Sequence, residues 1–193
     1  MSHFTSLTTE IKDLEACKNA LKNMGLFLKE KGMCRYYYGT ELKENVVILP
    51  GKYDMALESD ANGTYSITAD FYEGDVVRTI GYNGCLLLRQ YSEEVIKKKA
   101  KQMNLSIVQQ KDGFRVRNPQ DPNGGYMIVT FGENGEMFFT PKGINGKSCS
   151  KFLELEEALG RIDKREFLPE YYENEKERTK ATKQQERLKV GDY

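Results

Sequence analysis

The chain has 193 residues, enough for one ordinary domain or two small ones, and its 39% hydrophobic and 30% charged side chains allow a core beneath a polar surface. Its 29 basic side chains balance 29 acidic ones, which argues against nucleic acid as a partner, because phosphate contacts call for an excess or patch of Lys and Arg. No apolar run approaches the roughly 20 residues of a membrane span, and the opening MSHFTSLTTEIKD lacks the basic-then-apolar pattern of a secretion signal, so the expected address is the cytoplasm.

The opening HFTSLTTEI reads as a strand. Asp13 then caps a helix whose apolar face is Leu14, Cys17, Leu21 and Met24, and Gly25 supplies a left-handed stop. From 26 to 88 the texture is β, with segments MCRYYYG, NVVILP, YDMALES and TYSITADFYE separated by Gly, Pro and Asn. DANG at 60–63 is a hairpin signal, Asn62-Gly63 being a dipeptide that tolerates two positive φ angles. Tyr65, Ile67, Ala69 and Phe71 alternate, which puts one face inward.

Ser92 is expected to open a second helix, with Glu93 and Glu94 in its first turn and Val95, Ile96, Ala100 and Met103 as its stripe. LSIVQQ and FRVRN follow as short strands around Lys111-Asp112-Gly113. PQDPNGG at 119–125 is the best boundary signal in the chain. Beyond it, YMIVTF and EMFFTP flank a second hairpin turn, a helix carries Phe152, Leu155 and Leu159, and RIDKREFLPEYY closes as a strand.

The fold class expected from this order is α+β. Residues 1–118 form an elaborated β-α-β-β-α-β (ferredoxin-like) sandwich. Residues 124–173 form a small β-β-α-β unit, and 174–193 a charged tail with little apolar surface.

PKGINGKS at 141–148 ends in Gly-Lys-Ser and precedes a helix, which raises the question of a phosphate-binding loop. A P-loop needs a glycine five residues before Gly146, and Pro141 stands there. Proline removes an amide and fixes φ, so nucleotide hydrolysis is not the reading. An anion candidate remains at Gly143, Gly146, Lys147 and Ser148, because free amides at a helix N-terminus attract negative charge. Cys149 lies at the same terminus with Lys147 and Lys151 near it, surroundings that lower a thiol pKa. Against this stands a plain alternative: Cys149 is a small residue of the first turn, packed under the hairpin.

The single histidine, His3, is a candidate ligand or general base with neither an orienting carboxylate nor a nucleophile in evidence; half-buried on a terminal strand is its commoner role. Cysteines at 17, 34, 85 and 149 have no zinc-knuckle or thioredoxin spacing, so neither a metal nor a cofactor is expected. RYYY at 35–38 is either a base-stacking strip or core and rim, Asp70, Glu73 and Asp75 are either a cation site or a solvated turn, and the lysines at 97–101 cover a solvated helix face.

Two stretches carry a resemblance. The opening MSHF, TEIKDLEACKNALKNMG and QYSEEVIKKKAKQMNLSIVQQKDG together resemble an uncharacterised family of chloroplast genomes, cyanobacteria and other bacteria. GINGKSCSKFLELEEALGRIDKREFLPEYY resembles a separate small domain of unknown function with the pattern G-x-x-G-x-x-C, LEEALG, PEYY. The first family carries a Trp-containing strand pair, which this chain lacks. The resemblance implies no activity. It implies an accessory or adaptor protein, because genes of both kinds lie near those of AAA-type ATPases.

The leading expectation is therefore a non-enzymatic adaptor acting through a protein partner, an AAA-type ATPase being the class implied. A small-molecule or anion-binding enzyme using Cys149 comes second, and single-stranded nucleic-acid binding third. The adaptor reading predicts an exposed apolar patch without a deep pocket.

Overall fold

A computed structural model describes residues 3–123, 125–133, 135–144 and 147–167. The class is α+β, with two antiparallel sheets sharing one core with the helices. In chain order the elements are β1 (His3–Thr9), α1 (Leu14–Asn23), β2 (Leu28–Tyr36), β3 (Gly39–Val47), β4 (Met55–Ser59), β5 (Tyr65–Ala69) and α2 (Gly74–Ile80). A 3-10 turn (Tyr82–Gly84), α3 (Cys85–Gln102), β6 (Ser106–Gln110), β7 (Gly113–Arg117), β8 (Tyr126–Phe131), β9 (Met137–Lys142), α4 (Lys147–Leu159) and β10 (Gly160–Phe167) follow.

The larger sheet is six-stranded in the order β10-β1-β9-β8-β7-β6, and the smaller is β2-β3-β4-β5. The β-α-β-β-α-β succession expected for residues 1–118 is thus spread over both sheets. The turn at 119–125 joins β7 to its antiparallel neighbour β8 within the larger sheet, and β1 lies between β9 and β10.

Local chemistry explains much of this. Asp13 caps α1, its carboxylate accepting the Ala16 amide at 3.1 Å, while Ala16, Cys17, Ala20 and Leu21 face the core. Gly25, at φ +73, turns the chain out, and the Leu26 amide returns to the Leu21 carbonyl at 2.8 Å. The hairpin at 60–63 forms by a different geometry from the one expected. Asn62 keeps a negative φ and only Gly63 is left-handed, at +76°. The Asp60 carboxylate organises the turn by accepting the amides of Asn62 (2.8 Å) and Thr64 (2.9 Å).

The helix placed at Ser92 needs correction. α3 begins at Cys85, seven residues earlier, so Ser92 is mid-helix and buried, its Oγ donating to the Leu88 carbonyl at 2.8 Å. Glu93 and Glu94 are accordingly not in the first turn. α2 and the 3-10 turn were hidden in the stretch read as β. Leu87, Tyr91, Val95, Ile96 and Ala100 make the buried stripe. The Tyr91 hydroxyl oxygen accepts the amides of Lys12 (3.0 Å) and Asp13 (3.1 Å), tying α3 to the start of α1.

One core runs through the molecule. Phe114, Val116, Met127, Val129, Met137 and Phe139 of the larger sheet, Val47, Met55 and Leu57 of the smaller, and residues of all four helices belong to it. Phe152, Leu155 and Leu159, the expected apolar side of α4, are buried in it. Apolar residues alternate inward along β7 and β9, as the period of a strand requires.

Candidate functional site

Within β2, Lys31 has a φ of 54°, and the pairing with β3 passes from Glu30–Asn45 to Gly32–Lys43 in unchanged register. The hairpin places Cys34 and Tyr36 on Val46 and Ala56 in a second small core. It is fastened there by Asp54, which is fully buried. The Asp54 carboxylate accepts Arg35 Nη2 (2.7 Å), Arg35 Nε (2.8 Å) and the backbone amides of Arg35 (3.1 Å) and Leu49 (3.2 Å). Its own amide donates to the Arg35 carbonyl at 2.9 Å. Burial raises the Asp54 pKa, but the guanidinium and the two amides outweigh it and hold the carboxyl below its usual value.

This clasp sets one tyrosine against another. Tyr53, beside Asp54, meets Tyr37 edge to face, ring centroids 6.5 Å apart, and Tyr36 stacks on Tyr38 at 5.3 Å. The tip of the β2–β3 hairpin then faces the end of β5 and the 3-10 turn across an open groove of about 730 Å³. Tyr37, Tyr38, Tyr72 and Tyr82 line it and are 81%, 71%, 102% and 64% exposed. Among the described residues its charged lining groups are two carboxylates, Asp70 and Glu73, with no Lys or Arg. Burial and the neighbouring Cys34 push up the pKa of the Tyr36 hydroxyl, so it stays neutral at physiological pH.

RYYY and the acidic turn, weighed separately in the sequence, thus meet in one site. Tyr36 is core, as a β alternation suggests, while Tyr37 and Tyr38 are exposed at the turn. Asp75 stands apart, paired with Arg78. Tyr53 and Tyr82 carried no sequence signal, because each is an isolated aromatic, brought in by the β3–β4 loop and by the 3-10 turn respectively.

The other expected positions lie elsewhere. His3 is the first residue of β1, its backbone opposite Phe167 of β10. Gly143, at φ +60, follows β9. Lys147, Ser148 and Cys149 occupy the first turn of α4, and Gly146 lies outside the described residues. The strand feeding this loop, β9, is flanked by antiparallel neighbours, β1 and β8, whereas a P-loop follows a parallel strand. Pro141 belongs to β9 itself, opposite Met127 of β8 and past the Met137–Phe139 segment that β1 pairs. No group of three or more His, Cys, Asp or Glu among the described residues is placed to hold a metal, and no helix among them is long and apolar enough to cross a membrane.

Burial pushes the Cys17 thiol up to about 12, with the charge of Asp13 adding to it, and burial also raises that of Cys34. Thiolate is the attacking form. Alkylation of the native protein near neutral pH is expected to leave both unmodified until the chain is unfolded, as mass mapping of the labelled cysteines checks.

A family described as a protein of unknown function (DUF2997) matches residues 129–172, from the end of β8 through β9, α4 and β10. The match falls on the region of the GxxGxxC, LEEALG and PEYY pattern and assigns no chemistry. No curated protein and no solved structure matches the chain.

Proposed function

We propose that this chain is a non-enzymatic, cytoplasmic accessory protein that holds a segment of a protein partner in the tyrosine groove. The observation that carries the reading is the clustering of Tyr37, Tyr38, Tyr72 and Tyr82, all more than half exposed, on a single open groove. Large exposed aromatic groups in one place mark interaction surfaces, and Tyr is favoured there for its wide contact area and few torsions. A shallow, open groove suits an extended segment better than a small substrate, which is generally enclosed.

Charge narrows the partner. With Asp70 and Glu73 as the charged lining groups among the described residues, the groove favours a segment bearing Lys or Arg. Such a cation gains from aromatic faces as well as from carboxylates. The same lining disfavours nucleic acid, whose phosphates the carboxylates would repel. An AAA-type ATPase is the partner class implied by the resemblance, and it belongs to the proposal on that ground alone.

The test is affinity capture from the native host with tagged wild type and a Tyr37→Ala/Tyr72→Ala variant of confirmed fold. A protein retained in stoichiometric amount by the wild type and lost from the variant is the expected result. Equal recovery by both, or a wild-type chain that always runs alone, contradicts the proposal.

A further inference from the structure

The outer face of the larger sheet carries a second site, independent of the tyrosine groove. Alternation along β7 sends Phe114 and Val116 into the core and leaves Arg115 and Arg117 on the other face. On β8 and β9, Tyr126 stands opposite Lys142. These four side chains line a concave pocket of about 420 Å³ at the end of the sheet. The turn at 119–125 and the start of the β9–α4 loop close its rim. They approach so tightly that a Cβ at Gly125 would fall 2.3 Å from the Gly143 carbonyl oxygen.

The charge of this pocket is one-sided. Among the described residues its lining contains three cations and no carboxylate. Among the described residues neither Arg115, Arg117 nor Lys142 makes an ion pair, although pairs are common over the rest of the surface. The Arg115 guanidinium lies 3.9 Å from the centre of the Tyr126 ring, and its Nε is buried without a hydrogen-bond partner. Stacking fixes the plane of the guanidinium and leaves its donors aimed along that plane, the geometry for bidentate capture of an oxyanion. A buried N–H without an acceptor is costly, and three unpaired cations repel one another. A bound anion relieves the repulsion and offers acceptors to the unpaired guanidinium edge.

The positive end of α4 is close by. Lys151, in its second turn, donates to the Gln120 side chain at 3.3 Å, which ties the start of the helix to the turn that rims the pocket. Gly143, part of the anion candidate in the sequence, lines this pocket, but the cations here are different ones: Arg115 and Arg117 of β7 and Lys142 of β9.

We infer that Arg115, Arg117 and Lys142 form a binding site for a phosphate group, carried by a small phosphate monoester or by inorganic phosphate. Nucleic acid fits less well. The cations are gathered in one concavity, and among the described residues the adjacent outward ones, Ile128, Thr130 and Thr140, are uncharged, so no basic track continues through them for a strand to follow.

The experiment titrates glycerol phosphate and, separately, inorganic phosphate into the full chain at constant ionic strength, with binding read by calorimetry. Saturable binding is expected, weakened about tenfold or more by Arg115→Gln and by Lys142→Met, since each removes a charge-assisted hydrogen-bond donor. Tighter binding of the monoester assigns the site to an organic phosphate, and equal affinities assign it to the free ion. The two variants alter different strands, so a folding defect in one leaves the other informative; circular dichroism checks both. Absence of saturable binding, or affinity unchanged in a folded variant, overturns the inference. So does a stronger affinity for single-stranded oligonucleotides that rises with their length.

Discussion

Asp54→Ala is expected to lower the unfolding free energy by about 3 kcal/mol, the lower end of the range for removing one partner of a buried charge pair. The lower end applies because Arg35 is 43% exposed along its side chain and can turn to water. The backbone amides of Arg35 and Leu49 have no such escape. Each loses its acceptor within the smaller sheet, at about 1–3 kcal/mol per unsatisfied group. Against a typical total of about 5–15 kcal/mol this is a large loss. Urea denaturation measures it as a lower midpoint at similar slope. The acid limb supplies a check of sign. Because the folded carboxyl titrates below its usual value, its contribution is fully present above the unfolded value of about 3.9 and is lost as pH falls through the folded one. The gap between wild type and variant therefore narrows below about pH 4. A gap that widens on acidification contradicts the assignment.

The second large effect falls on two neighbours in β7 with opposite outcomes. Phe114 is 1% exposed, meets Phe131 edge to face at 6.1 Å, and lies 5.8 Å beneath the Lys97 ammonium of α3. Phe114→Ala is expected to cost about 3–5 kcal/mol, from lost transfer energy and the cavity left behind. Arg115, one residue along, points to the opposite face, and Arg115→Gln loses only a stacked cation, about 0.5–1 kcal/mol. Denaturation of the two variants side by side measures the contrast. Similar losses in both would mean that Arg115 supports the fold, and the phosphate assay with that variant would then have to rest on Lys142.

The sequence was most legible where structure depends on near neighbours. Asp13 caps a helix that Gly25 ends, and Phe152, Leu155 and Leu159 mark one side of α4; each rests on contacts within a few residues. It was least legible at 74–91. Gly74, Gly81 and Gly84 look like the punctuation between strands, yet here they flank α2 and the 3-10 turn and precede α3. Gly84, at φ +78, starts α3 without a side-chain cap, so the usual marker was missing, whereas Ser92 had the marker and stood mid-helix. The groove was legible only in pieces. RYYY and the acidic turn could each be flagged, but their meeting depends on the order of the smaller sheet and the Asp54 clasp, and pairing between distant segments leaves no local pattern. The phosphate pocket has the same origin, its cations coming from strands whose order the sequence does not reveal.

The most direct test of the account is to measure the affinity of the captured partner for three forms of the chain: wild type, Tyr37→Ala/Tyr72→Ala, and Asp70→Asn/Glu73→Gln. The account predicts a loss of at least about tenfold for the tyrosine variant, as expected when interface anchors are truncated. For the carboxylate variant it predicts a smaller loss together with a weaker dependence on salt. Equal affinity for all three forms would contradict it.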